Sequence, residues 1–278
     1  MSLTPSQTTQ ILQELGHRPR KQLGQNFLID ANIVQKSVAL AEVHEHDNIL
    51  EIGPGLGTLT RALLSQGARV WAVEFDPKLA LHVQRTLATE FGPQFCLEEA
   101  DALKLPRGGM PDSTQGEGFK VVANLPYAIS TPWLEKMIEM PLASRMVLML
   151  QQEAAQRFAA KLGTKQFGAI SIFLQSAYEI RPGHKVPASC FHPRPEVESY
   201  LFNIVRRAEP FIFDAATREL IRACFQQRRK QIGALLRRQL PDEGRAWITR
   251  LAEYGLDQRA RPEQIPTKAW QDLASSRI

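Results

Sequence analysis

The sequence predicts an α/β fold in which a mostly parallel sheet of seven strands is followed by a smaller all-helical C-terminal domain. Short apolar runs alternate with helical patterns and place strands near residues 49, 70, 95, 120, 145, 178 and 200, the alternation that builds βαβ units. After residue 206 no strand pattern recurs, whereas 215–224, 231–240, 243–252 and 267–274 all carry apolar residues at helical spacing. With 278 residues, 44% of them hydrophobic and 23% charged, the chain can bury a large core and is not disordered.

The elements follow in order. An N-terminal arm, residues 1–29, is expected to contain a short helix from the region of Ser6, and Asp30 reads as the N-cap of a helix running to Leu40. The strand Asn48-Ile49-Leu50-Glu51-Ile52 opens a core domain over residues 30–206, and Gly53-Pro54-Gly55-Leu56-Gly57 leads from it into a helix over 58–64. Glycines there allow positive φ and let a ligand approach the backbone. The dinucleotide fingerprint G-x-G-x-x-G would need a glycine at Thr58, so a nicotinamide cofactor is disfavoured. A second strand ends at Glu74, spaced from Gly53 as a ribose-binding acid would be, and a third leads to Asp101, a possible acceptor for an adenine amino group.

The run Val121-Val122-Ala123 then delivers Asn124-Leu125-Pro126-Tyr127. Proline has no N–H, so no donor at position 126 competes for the Leu125 carbonyl, Asn124 adds an amide oxygen, and Tyr127 adds an aromatic face. Two acceptors beside a stacking surface suit an exocyclic amine on a nucleobase. Each feature has a plainer alternative: a strand-ending turn for the tetrapeptide, a tight turn for the glycines, helix caps for Glu74 and Asp101. Their succession favours function, because it puts all four at carboxyl ends of parallel strands, where open α/β sheets bind ligands.

The rest of the chain narrows the class. No signal peptide or membrane-length apolar run is visible, so a cytoplasmic protein without a membrane partner is expected. Cys96, Cys190 and Cys224 form no C-x-x-C pair, which supports neither disulfide nor metal site. The Gly-rich polar stretch 107–118 reads as a mobile loop, as does 161–168. The net charge of +5 is uneven: from residue 205 onward there are 15 Lys and Arg against 9 Asp and Glu. Gln227-Arg228-Arg229-Lys230, Arg237-Arg238, Arg206-Arg207 and, in the arm, His17-Arg18-Pro19-Arg20-Lys21 are candidate phosphate contacts or solvated faces.

The segments EIGPGLGTLT, VWAVEFDP, ADAL and NLPY resemble the successive motifs of class I S-adenosyl-L-methionine-dependent methyltransferases with a Rossmann-like sheet. NLPY, with KQLGQNFL at 21–28 and FHPRPEVES at 191–199, is similar to the ribosomal RNA adenine N6-dimethyltransferases, in particular those of the small subunit, over residues 18 to about 270. That resemblance implies N6,N6-dimethylation of two adjacent adenosines in the 3′-terminal hairpin loop of small-subunit (16S) ribosomal RNA. The partner would be the immature 30S particle, met by a monomeric enzyme. The arm, with Asn26 and Leu28, would close over S-adenosyl-L-methionine, which Gly53, Gly55, Glu74, Asp101 and Asn124 would also hold. Asn124, Leu125 and Tyr127 would hold the target amine while Phe191 stacks on the base's other face, although Phe191 also fits a core aromatic. The helical domain, 207–278, would bind RNA. Where the family usually has a Lys-Val-Asp-like run, this chain has Glu196-Val197-Glu198, which removes a positive charge from that loop. The alternatives are a related enzyme acting on large-subunit RNA or DNA, and a non-catalytic ribosome-assembly factor.

Overall fold

A computed structural model describes residues 3–20, 23–139, 141–240 and 243–276. The chain begins with helix α1 (Pro5–Glu14), which starts where Thr4 and Gln7 form a reciprocal capping box and Pro5 fills the first helical position. Strand β1 (Phe27–Leu28) precedes helix α2 (Ala31–Leu40). Asp30 caps α2 as expected, accepting from the backbone N–H groups of Asn32 at 2.8 Å and Ile33 at 3.1 Å.

Four parallel crossovers follow. They comprise β2 (Asn48–Ile52), α3 (Thr58–Leu64), β3 (Arg69–Glu74), α4 (Pro77–Phe91), β4 (Phe95–Glu99), α5 (Asp112–Glu117), β5 (Lys120–Asn124), α6 (Ser130–Met137) and β6 (Arg145–Gln151). Helices α7 (Gln152–Phe158) and α8 (Ala169–Ala177) come next, then β7 (Tyr178–Val186), β8 (Phe191–His192) and β9 (Ser199–Arg206). The sheet order is β4-β3-β2-β5-β6-β9-β7, with β6 and β9 antiparallel and the pairs from β4 to β6 parallel. All seven strands expected from the sequence are present. The two-residue strands β1 and β8 pair antiparallel outside this sheet, Phe27 with His192 and Leu28 with Phe191.

This order places the site. From β2 the chain steps outward to β3 and β4 on one side, then returns to lay β5 and β6 on the other. The direction reverses between β2 and β5, and a crevice opens beyond their carboxyl ends at such a reversal. Gly53 follows one strand and Asn124 ends the other. Beneath the crevice Ile49, Val70, Ala72, Val122 and Val147 join Leu63, Val83 and Leu87 in one buried cluster. Strands buried on both faces need such continuous apolar runs.

The stretch 107–118 is more ordered than its composition suggests. It contains α5, and Met110 is buried while Gln115, also buried, donates to the Met110 carbonyl at 2.8 Å. Gly108 has φ +60°, and a Cβ there would sit 3.0 Å from Val73. The apolar anchor at Met110 draws a polar-looking segment onto the sheet.

The chain divides into two compact units, Met1–Ala155 with Ile180–Arg206, and Gln156–Glu179 with Arg207–Ile278. The second comprises α8, α9 (Ala215–Gln226), α10 (Ile232–Gln239), α11 (Glu243–Arg250) and α12 (Thr267–Ser275), with the end of α7. Its centre is Trp247 against Trp270, ring centroids 5.2 Å apart, with the Trp247 indole N–H donating to the Ala269 carbonyl. Aromatic pairs of this kind add to the area they bury. Truncating the α2 cap, Asp30→Ala, should cost about 1 kcal/mol, read as a lower urea midpoint at unchanged m-value.

Candidate active site

The crevice holds a cavity of about 270 Å³ lined by the glycine loop, the ends of β3 and β5, residues 100–103 and the arm segment 23–28. Asn26, Leu28, Gly53, Gly55, Glu74, Asp101 and Asn124 all line it, so seven candidates distant in sequence meet in one place.

The glycine loop is shaped by contacts that only glycine permits. Gly53 and Gly55 have φ of +69° and +61°, a region that side chains rarely adopt. At Gly55 a Cβ would lie 3.1 Å from the Phe27 ring, so the arm rests directly on the loop. Glu74 ties loop to strand: its Oε2 accepts from the Gly55 N–H at 3.1 Å and its Oε1 from the Asp76 N–H at 2.9 Å. Burial raises the Glu74 carboxyl above the ordinary range, and those two N–H groups oppose the shift. Each oxygen keeps a lone pair for a further donor. Asp76, not Glu74, caps α4, through Lys78 N–H at 3.0 Å. Asp101 Oδ1 closes a turn by accepting from the Leu103 N–H at 2.8 Å.

The tetrapeptide lies between two glycines. A Cβ at Gly24, φ +63°, would come 3.3 Å from Tyr127 N, and Gly53 backs onto Pro126. Asn124 donates through Nδ2 to the Asn26 carbonyl at 3.0 Å, and Asn26 donates to the Gly24 carbonyl at 3.1 Å. That chain of amides fixes Asn124 with its Oδ1 as the remaining acceptor. Among the described residues no donor engages either Asn124 Oδ1 or the Leu125 carbonyl, although the Leu125 side chain is buried. Tyr127 is half-buried and pairs its hydroxyl with Ser199 Oγ at 2.7 Å.

Leu125, Tyr127 and Phe191 do not line the cavity itself. Leu125 and Tyr127 belong to the turn that flanks it. Phe191 is buried in the core cluster beside Leu28, its partner across the β1–β8 pair. Lys21 and Gln22 of the segment 21–28 lie outside the described residues.

Reasoning from motifs passed over Glu51. It sits on β2 at the cavity, fully buried, and its Oε2 has no hydrogen-bond partner among the described residues. A charged residue inside an apolar strand, two positions before a glycine loop, is the sequence signal that could have found it. Burial pushes its carboxyl up to about 8, the nearby Thr60 hydroxyl opposes this only in part, and the Glu74 charge adds to it.

Glu51, Glu74 and Asp101 make the described lining acidic, and no Lys, Arg or His is among its residues. A diphosphate would be repelled there. A ligand carrying ammonium and sulfonium charges with a ribose and an adenine fits the donor set: acceptors for hydroxyls and amines, an orphaned carboxylate for a cation, and glycines for close approach. Among the described residues no group of His, Cys, Asp and Glu could hold a metal.

Glu51 also sets a pH dependence. Its pKa is about 8 in the folded chain against an ordinary 4.5, so between those values the folded state keeps a proton that the unfolded state has lost. Its contribution to stability is fully present below about 4.5 and declines as pH rises to about 8. Glu51→Gln should flatten the pH dependence of stability across that window by on the order of 1 to 3 kcal/mol, measured by urea unfolding at pH 5, 6.5 and 8.

The family model described as ribosomal RNA adenine dimethylase matches residues 16–276. The ribosomal RNA small subunit methyltransferase A of Opitutus terrae is 58% identical over 273 residues, covering 98% of each chain. That of Shouchella clausii is 37% identical over 281 residues, covering 98% of this chain and 94% of the relative. Among solved structures, a dimethyladenosine transferase from Plasmodium falciparum superposes with a TM-score of 0.74 at 25% identity, covering 90% of this chain and 96% of that one. The 23S rRNA methyltransferase ErmE gives 0.68 at 27%, covering 90% and 98%. With a family match over residues 16–276 and relatives 58% and 37% identical over nearly the whole of both chains, the chain belongs to the ribosomal RNA adenine dimethylases.

Proposed function

We propose that this chain uses S-adenosyl-L-methionine to dimethylate N6 of two adjacent adenosines in the 3′-terminal hairpin loop of small-subunit ribosomal RNA, acting on the immature 30S particle. The observation that carries the reading is the pair of unengaged acceptors, Asn124 Oδ1 and the Leu125 carbonyl, at the edge of an acidic cavity. The small-subunit assignment draws on the relatives named for that subunit. No helix among the described residues is long and apolar enough to cross a membrane, and we place the enzyme in the cytoplasm as a monomer.

In this reading Glu74 accepts from the ribose hydroxyls, Asp101 from the cofactor's adenine amino group, and Glu51 faces the cationic methionine end. Asn26 and Leu28, on the arm, cover the cofactor, while Gly53 and Gly55 let it approach the backbone. S-adenosyl-L-methionine supplies, when bound, an electrophilic methyl group. The chain's own part is to present the amine. Asn124 Oδ1 and the Leu125 carbonyl accept one amino hydrogen each, which turns the nitrogen lone pair out of conjugation with the ring and holds it in line. Tyr127 stacks on the base. The proton shed from N6 after alkylation passes to water, since the ammonium formed is acidic enough to need no carboxylate base.

The second methylation is harder on the site. A monomethylated amine has one N–H, so one acceptor loses its partner and stacking must hold more of the base. Phe191 can supply the second stacking face only if the β1–β8 pairing of Leu28 with Phe191 opens when RNA binds. The adenosine must also leave its own stack, at a cost of a few kcal/mol. The helical unit contributes phosphate contacts through exposed Arg229, Lys230 and Arg237.

Methyl transfer from labelled cofactor into undermethylated small subunits, large-subunit RNA and DNA, with sites mapped, tests the assignment. Labelling should fall on two adjacent adenosines of the small subunit; equal labelling of DNA, or none of small subunits, overturns it. Tyr127→Ala should lower turnover on the order of a hundredfold while cofactor affinity survives. Glu74→Ala should instead weaken cofactor binding roughly tenfold or more, as for lost hydrogen bonds to a charged group.

A further inference from the structure

The ribose-site carboxylate, Glu74, is held through Asp76, and Asp76 is held by the N-terminal arm. Asp76 is almost fully buried. Its Oδ1 caps α4, and its Oδ2 accepts from Gln25 Nε2 at 3.3 Å. Gln25 Oε1 in turn accepts from the Arg20 N–H at 2.8 Å and lies 3.1 Å from Nε2 of His17. Because that amide oxygen can only accept, the His17 Nε2–H is the donor. The ring's other nitrogen faces Asp76 Oδ1 at 3.8 Å, and the His17 side chain is as buried as that of Asp76. Lys78, the second residue of α4, donates to the Gly16 carbonyl at 2.7 Å. Around this polar knot Leu12, Phe27, Leu56 and Leu79 form a separate apolar cluster joining arm, glycine loop and α4.

We infer that His17 and Gln25 are positioning residues of the cofactor site, which set the affinity of Glu74 for its ligand by clamping Asp76. Asp76 offers its backbone N–H to Glu74 Oε1, so the placement of that N–H decides where the carboxylate points. Asp76 is also a second negative charge beside Glu74, and it disfavours the ionised form of Glu74. The Gln25 amide of the arm, itself held by His17, donates to Asp76 and compensates its charge. Without Gln25 the Oδ2 atom is left buried with no donor, a costly arrangement that the turn relieves by moving toward water. The Asp76 N–H then leaves Glu74. Coupling of this kind is reciprocal, so a ligand on Glu74 also favours the docked arm.

The inference rests on Glu74 binding the cofactor ribose, and one experiment separates the two claims. The dissociation constant of S-adenosylhomocysteine is measured by calorimetry for the wild type, His17→Ala, Gln25→Ala, Glu74→Ala and the double variant His17→Ala with Glu74→Ala. His17→Ala and Gln25→Ala should each weaken binding roughly five- to tenfold, and His17→Ala should add little once Glu74 is gone, because contacting groups are non-additive. His17→Gln, which restores a donor near the Nε2 position, should recover most of the loss. At saturating cofactor the KM for small-subunit RNA should stay within about twofold of wild type. Unchanged affinity in His17→Ala, or losses that multiply fully in the double variant, overturn the clamp. If Glu74→Ala itself binds normally, the ribose assignment fails first.

Discussion

The carboxylate of Glu74 bridging two backbone N–H groups is the interaction on which the site depends. Gly55 N–H reaches Oε2 from the loop after β2, and Asp76 N–H reaches Oε1 from the turn after β3. One side chain thus ties together the ends of β2 and β3, beside the place where the sheet reverses direction. A carboxylate accepting such bonds is strongly oriented, and Glu74 lines the cavity with acceptor capacity left on its oxygens. The glycines follow from the same constraint. With φ of +69° and +61°, and with the Phe27 ring against Gly55, the loop tolerates no side chain where it closes on the cavity. The cost of burying Glu51 and Glu74 together is accepted in the same small space, and a cationic ligand offsets it.

Much of this was legible in the sequence because it is written in local signals. Asp30 before an apolar helical pattern, the glycines between strand and helix, and Asn-Leu-Pro-Tyr after an apolar strand each declare a conformation within a few residues. Their order then located the ligand side of the sheet. What was not legible depends on long-range packing. The Gly-rich stretch 107–118 folds onto β2 and β3 because Met110 is buried, and no neighbouring residue announces that. The grouping of residues 156–179 with the helical tail is likewise a matter of which apolar faces meet. His17, Gln25 and Asp76 lie up to about sixty positions apart and share no pattern; only burial and hydrogen-bond distances associate them. Phe191 was open between a stacking surface and a core aromatic, and the structure buries its ring beside Leu28.

The charge distribution explains how a polyanion is handled by an acidic cavity. The acidic lining and the absence of any Lys, Arg or His from it disfavour phosphate at short range, while the uncharged amino group of an adenine meets no such barrier at Asn124 and Leu125. Exposed cations lie elsewhere: Arg18 and Arg20 on the arm, Arg229, Lys230 and Arg237 in the helical unit. Arg228, from the same run, is already engaged with the Lys165 carbonyl and Glu263. Screening limits attraction between exposed charges to about 8 Å at physiological ionic strength, so each cation acts on phosphates that pass close to it. On the proposed reading the two acceptors favour unpaired adenosines, because an adenine kept within a duplex stays stacked among its neighbours and does not reach them.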